Sequence, residues 1–578
     1  MSEASPIAPL SVRRKFLTDP DLGAGNFLQY ALDHNPHLDL PLVYSHHNDQ
    51  HGQVALRGHS LHQLEALRDQ YARWYWANGV RPGEPVALYI AEGLQPILHF
   101  LALTAIGAIP ALVNDAMPIA TARRYLDHVG VVGVVADDPR LISAAYRPGE
   151  PRPRFIVPSA EVRAHDPGSG ALPEQYPYRH AAQDVVALIH SSGTTGTPKS
   201  TMVAHRQFWV GKETRMVRFP AEPYDRLLSL MPHTHAGGLS YLLTTILLGL
   251  PTLTMGDWRR SAVEPVMKAF QPTMVASFPR TFVELATGEL PVEAAARVHT
   301  WFNTGDSAHY GHIRRLVQLG ERPTGLIQPW LLPEGAADQT VLAGSRFIDG
   351  LGSSEMGMAL FGHATTPETP RDDRCVGMPV EVVERAAVLD DEGREVPDGT
   401  AGNLAVLTPT RTPGYWNDPE LTRSFELSGY WLTGDVARRE PDGRFYHLDR
   451  TVDVIRTADG PVYSMPLEEV LIADCDQLVQ DCSVIGVPGP LGDGQLPVAV
   501  LRLQQDAATA DPKELLDTVN QQLAAAGLTT LAAVFVAATE DDFPTGPTGK
   551  VLKRELRTRF ATALTGGGPA GDGGQAVA

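Results

Sequence analysis

Residues 190–200 read HSSGTTGTPKS, at the end of the run VVALIH (185–190). Short β-branched runs of this kind suit strands covered on both faces of a parallel sheet. Such a strand delivers the segment after it to the edge of the sheet. Gly193 and Gly196 let that backbone turn tightly and bring its N–H groups close to an anion. Ser191, Ser192, Thr194, Thr195 and Thr197 supply hydroxyl donors, and Lys199 adds a positive charge. Together they describe a polyphosphate cradle. It is not a standard P-loop, because Pro198 stands where G-x-x-x-x-G-K-[ST] needs its second glycine.

Outward from this loop, strand and helix signals alternate. PVALYIA (85–91), a helical stretch Leu94 to Ala105 and AIPALVN (108–114) make one unit; VVGVVA (131–136), LLSLMP (227–232) and TMVASFP (273–279) continue it. VEPVMKAF (263–270) reads as an amphipathic helix between two of them. This is the alternation of an α/β layer with a largely parallel sheet. The first ~35 residues read as a loosely structured lead-in, and 140–180, rich in proline and charge, as a connection between subdomains. After about Thr408 the text turns to paired strands around the turn PDG (441–443), and a domain boundary falls at Asp449–Asp453.

With 578 residues the prior is three to four domain-sized units. Lys plus Arg is 48 and Asp plus Glu 67, a net charge of −19, which disfavours a nucleic-acid partner, since that affinity rests on a basic face. Three cysteines do not make a disulfide framework. The N-terminus lacks the apolar core of a signal peptide, and the longest apolar run, Ile97 to Val113, is broken by His99, Thr104 and Pro110. The expectation is a cytoplasmic enzyme with no membrane partner.

The glycine-rich loop resembles the signature of the adenylate-forming superfamily of acyl- and aryl-CoA ligases, luciferases and peptide-synthetase adenylation domains, whose pattern [ST]-S-G-[ST]-T-G-x-P-K-G is matched except that Ser200 replaces the last glycine. Six further segments fall in the family's order. MPHTHAGGL (231–239) puts His235 at the border of an acyl pocket, and NTGDSAH (303–309) puts Gly305 on the adenine side. DGLGSSEMG (349–357) resembles the D-G-[IL]-G-[ST]-[ST]-E of benzoate-type aryl-CoA ligases. There Asp349 and Gly350 would lie near adenine, Ser354 at the α-phosphate and Glu355 on Mg²⁺, with Leu351 in place of the usual stacking tyrosine. YWLTGD ends at Asp435, implied to accept both ribose hydroxyls; LDRTVDVIR carries the ribose-contacting Arg450; PTGPTGKVLKREL places Lys550 on the catalytic lysine. The resemblance covers roughly 60–560.

It implies an α/β fold: a large N-terminal part, 1–449, of several mixed or parallel sheet subdomains; a small mobile α+β domain, 450–564; and a Gly/Ala-rich disordered tail, 565–578. The implied chemistry is ATP- and Mg²⁺-dependent attack of a small carboxylic acid on the α-phosphorus, with Lys550, Glu355 and Lys199 neutralising charge. Transfer of the acyl-adenylate to coenzyme A would follow after rotation about the hinge. The post-hinge text RTADGPVYSMPLEE departs from the family's Lys-x-x-Gly: Arg456 replaces the lysine and one residue is added before Gly460. This leaves other acceptors open: a carrier-protein thiol, an amine, or nitrite activated for N–N bond formation. His233, His235, Gly237, Leu239, Asn303 and Leu351 are the acyl-pocket candidates, suiting an aryl or short unsaturated acid. His46, His47 and His51 read as a polar hairpin tip rather than a metal site.

Overall fold

The computed structural model describes residues 5–166, 168–191, 198–219, 221–287, 292–305, 308–323, 341–490, 492, 494–507, 511–546 and 550–564. The expected cradle residues Ser192, Gly193, Thr194, Thr195 and Gly196 and the tail 565–578 lie outside them.

Two large sheets share one core. The first has the order Phe155–Val157, Gly133–Ala136, Pro85–Tyr89, Ile109–Val113, Val185–Ser191 and Lys199–Ala204, parallel throughout except for the last strand. Ile109–Val113 is buried at every position, as a central strand covered on both faces must be. The second sheet runs parallel through Val43–Asn48, Thr252–Thr254, Leu227–Ser229, Met274–Ser277, Thr300–Thr304 and Arg346–Gly352. It then continues as antiparallel strands Ala359–Thr365, Cys375–Pro379, Phe445–Arg450, Tyr430–Arg439 and Ala401–Leu407. Helices Leu94–Ala105 and Ala236–Leu248, apolar nearly all round, fill the common core.

Two expectations are corrected. The N-terminal residues are packed rather than loose: Phe16 and Phe27 are buried, and Arg13 donates to the Ala8 and Ala221 carbonyls at 2.7 and 2.9 Å. The helix Phe27–His34 buries Phe27, Leu28 and Ala31, one stripe of a short helix whose signal is hidden by flanking glycines. The 140–180 stretch is also more than a connection. Phe155–Val157, closed in by Pro153 and Pro158, adds an edge strand to the first sheet.

From Ile455 onward the chain builds a core of its own. Strands Val479–Pro488, Gln495–Leu503 and Ala533–Val536 carry helices Ser464–Asp474 and Pro512–Ala525, around Leu467, Leu471, Val484, Val519 and Leu523. The architecture is mixed α/β, with a large multi-sheet N-terminal part and a smaller C-terminal domain. No helix among the described residues is long and apolar enough to cross a membrane.

Candidate functional site

Thr300–Thr304 and Arg346–Gly352 are neighbours in register, Asn303 opposite Asp349 and Thr304 opposite Gly350. Their carboxyl ends open where open α/β sheets place ligands. Asn303 Nδ2 donates to Asp349 Oδ1 at 2.7 Å. Burial pushes the Asp349 carboxyl above its ordinary range, a rise opposed by Asn303 and Arg374. Gly305 follows at φ +84°, and a Cβ there would stand 2.5 Å from the Phe278 ring, so only glycine fits this corner without strain.

Asp435 and Arg450 are paired across an antiparallel ladder, with Arg450 Nε 3.1 Å from Asp435 Oδ1. Burial raises the Asp435 pKa, but Arg450 and His447, 3.4 Å away, outweigh it and hold the carboxyl at about 2. Asp435, Arg450 and Lys550 line one chamber together with Gly305, Asp349 and Leu351. Lys550 reaches it from the other domain, where Gly546 N–H donates to the Lys550 carbonyl at 2.7 Å and Leu552 N–H to that of Pro544 at 2.8 Å. Lys553, three residues on, is held by Glu468 Oε1 (2.8 Å) and Ser464 Oγ (2.6 Å).

Beside this chamber Lys199, opposite Ser191 in register, sets its ammonium 4.2 Å from the Phe425 ring and 5.2 Å from that of Tyr415. Tyr415 donates to Glu355 Oε1 at 2.9 Å. Burial lowers the Lys199 pKa, Glu355 opposes that and Arg450 adds to it, so one electrostatic neighbourhood links the cluster to Asp435 and Arg450. A single half-buried carboxylate is a donor set that suits Mg²⁺, which takes few protein oxygens and completes its shell with phosphates and water. No group of three or more His, Cys, Asp and Glu side chains among the described residues is placed to hold a metal ion, and His46 and His47 lie on the hairpin Val43–Asn48 with Val54–His59.

Next to the chamber lies a cavity of about 110 Å³ walled by Phe219, Tyr241, Phe302, Ile348, Met358 and Phe361. Its aromatic walls suit an aromatic ring, which packs on such side chains by offset-stacked or edge-to-face contacts. Gly350, Gly352 and Ser353 border both spaces. His235 also lines the cavity. It caps the helix Ala236–Leu248 by accepting the Gly237 N–H at Nδ1 (3.1 Å), and its ring meets Phe278 edge-on at 4.9 Å. Burial, then nearby Lys550 and His190, push its pKa down to about 3, so the imidazole is neutral with its proton on Nε2.

The structure thus gathers Lys550, Gly305, Asp349, Gly350, Leu351, Asp435 and Arg450 around one chamber, and His235, Gly237 and Asn303 around its neighbour. Ser354 is buried and lines neither; Ser353 faces both. Leu239 is a core residue, and His233 is buried 2.7 Å from Glu92. Neither lines the cavity. Sequence reading missed Phe302 and Tyr415, which sit beside motif residues, and Lys212 and Arg215, which also line the cavity and carry no local signal.

The family description "AMP-binding enzyme" matches residues 46–416. A 3-aminoavenalumate diazotase from Streptomyces sp is 36% identical over 570 residues, 95% of this chain and 98% of that one. A 3-amino-2-hydroxy-4-methoxybenzoate diazotase from Streptomyces cremeus is 28% identical over 557 residues, 90% and 91% of the two chains. The solved anthranilate CoA ligase in complex with anthranoyl-AMP superposes with a TM-score of 0.77 at 20% identity, covering 94% of this chain and 98% of that one, which shows a shared fold.

Proposed function

The chain belongs to the AMP-binding enzyme family as an adenylate-forming ligase, and on that footing we propose that it is an ATP-dependent diazotase for an amino-bearing aryl acid. The observation that carries this reading is the aromatic-walled cavity meeting the nucleotide chamber at Gly350–Ser353, with Lys550 already in that chamber. Both diazotase relatives are named for 3-amino carboxylates, one of them a benzoate. The departure at Arg456, an exposed residue of the hairpin Ile455–Thr457 with Gly460–Val462, agrees with a second acceptor other than a tunnelled thiol.

In this scheme a nitrite oxygen attacks the α-phosphorus of ATP, the bond to the β-phosphate oxygen breaks, and pyrophosphate leaves. The aryl amine nitrogen then attacks the nitrosyl nitrogen, and the N–O bond to AMP breaks with its electron pair going to AMP. The N-nitroso product loses water, after proton shifts, to give the diazonium group. Two anions must meet in the first step, so its barrier is largely electrostatic. Lys550 and Lys199 would supply positive charge, Glu355 would hold Mg²⁺, and Asp435 with Arg450 would position the ribose. Mg²⁺, when bound, neutralises phosphate charge. Neutral His235 would close the reacting end without adding charge. The Lys550-docked arrangement would serve the first half-reaction, and the C-terminal domain would move for the second.

The second reading, transfer of an acyl-adenylate to coenzyme A, is favoured by the benzoate-ligase-like text DGLGSSEMG. One assay separates them. Enzyme, ATP, Mg²⁺, nitrite and 3-amino-4-hydroxybenzoate should release AMP and give a product that couples to a naphthol as an azo dye, without coenzyme A. Thioester formation from the acid and coenzyme A, with no effect of nitrite, contradicts the proposal.

A further inference from the structure

Lys212 and Arg215 stand in one wall of the aryl cavity, and neither borders the nucleotide chamber. Lys212 is 3% exposed. Its ammonium donates to the Gly357 carbonyl at 3.1 Å and to that of Phe208, and lies 3.8 Å from the centre of the Phe208 ring. Arg215 donates through Nη2 to the Ala359 carbonyl at 3.1 Å. The Arg215 contact ties it to Ala359, which lines the same cavity, and the Lys212 contact reaches Gly357, two residues before Ala359 in the chain. No carboxylate among the described residues lines it. Two like charges in an apolar pocket are costly to keep ionised, and burial, then Arg215, pushes the Lys212 pKa well below its ordinary 10.5, with Glu213 only partly opposing the fall. The arrangement is relieved by an anion delivered into the cavity, because opposite charge restores what desolvation took away.

Under the diazotase reading, on which this inference rests, the reacting group is the amine and the carboxylate is a spectator that needs a site of its own. We infer that Lys212 and Arg215 bind the carboxylate of the amino-aryl acid, so that the ring lies between the aromatic walls with its amine facing the nucleotide chamber. A ligase activating the same carboxylate would hold the molecule the other way round. The cation pair therefore sets which end of the substrate reacts.

The test is calorimetric titration of the full chain, in the presence of AMP, with 3-amino-4-hydroxybenzoate and with 2-aminophenol, the same ring without its carboxylate. Charge-assisted hydrogen bonds of this kind should make the wild type favour the acid by about 100-fold. Lys212→Met and Arg215→Met should each lower that ratio at least tenfold. Should Lys212→Met fail to fold, Arg215→Gln at the less enclosed position carries the same expectation. A wild-type ratio near one, or a ratio undiminished in folded variants, overturns the anchor. Nitrite-dependent ATP–pyrophosphate exchange by the wild type is measured alongside. Its absence, with the ratio lowered in the variants, sinks the diazotase reading alone; its presence, with the ratio undiminished, sinks the anchor alone.

Discussion

Glu469 of the C-terminal domain places one carboxylate oxygen 3.0 Å from His309 Nδ1 of the N-terminal part, while its other oxygen accepts the Tyr310 N–H at 2.7 Å. Arg374 closes on the same carboxylate at 3.4 Å. Arg371 with Asp474 and Arg280 with Asp481 cross the same boundary. Gly311 lets the two parts approach, since a Cβ there would stand 2.8 Å from the Ile472 carbonyl oxygen. The acidic side of this seam belongs to the C-terminal domain and the basic side to the N-terminal part, and together they seat the domain with Lys550 in the chamber of Asp435 and Arg450.

Breaking the seam should unseat Lys550. Burial raises the Glu469 pKa, but His309 and Arg374 prevail and hold it at about 2. Glu469→Gln leaves His309 and Arg374 without their anion, and removing one partner of a buried pair costs about 3–5 kcal/mol. Pyrophosphate exchange should fall at least tenfold, with faster proteolysis between residues 450 and 455. Burial lowers the His309 pKa, but Glu469 outweighs it and lifts it above its ordinary 6.5. The histidine's contribution to docking is therefore complete below pH 6.5 and is lost as pH rises through the lifted value. The variant should lose that alkaline decline.

Asp435→Asn should raise the KM for ATP by about tenfold or more, read from initial rates across ATP concentrations, since a carboxylate suits two hydroxyl donors better than an amide. The carboxyl is held at about 2 against an ordinary 3.8. Its stabilising contribution is present above pH 3.8 and lost as pH falls towards 2. Acid unfolding of the variant should be less steep over that window.

Lys550→Ala should cut adenylate formation by orders of magnitude and change stability by less than about 0.5 kcal/mol, because the side chain enters a cavity rather than a core. Exchange assays and a urea titration check the two halves. Equal losses in both would point to a structural lysine.

Gly305→Ala tests the corner between the two cavities. At φ +84° with Phe278 at 2.5 Å, the added methyl should cost about 1–3 kcal/mol and displace the ring that His235 meets edge-on. A lower Tm together with weaker ATP binding is expected.

Much of this was legible in the text. The helix Leu94–Ala105 and the strands at 85, 109, 133, 185 and 274 announce themselves by local period, and the glycine- and charge-bearing motifs lie at strand ends. What escaped depends on partners far apart in sequence. KETR at 212–215 carries no motif, and only the fold turns Lys212 and Arg215 onto Gly357 and Ala359. Glu469 looks like any acidic helix residue until His309, 160 positions away, is brought against it. His233 and Leu239 share the motif of His235, yet the entry into the helix Ala236–Leu248 turns them to the core. Phe155–Val157 is three residues long, too short for a period-two signal.

The most direct measurement of the central claim is ATP–pyrophosphate exchange with nitrite as the sole acid, followed by addition of 3-amino-4-hydroxybenzoate without coenzyme A. The diazotase account predicts exchange that saturates with nitrite, vanishes in Lys550→Ala, and ends in AMP and an azo-coupling product once the amine is present. Exchange that ignores nitrite and responds to amine-free aryl acids, with thioester accumulating on addition of coenzyme A, would contradict it.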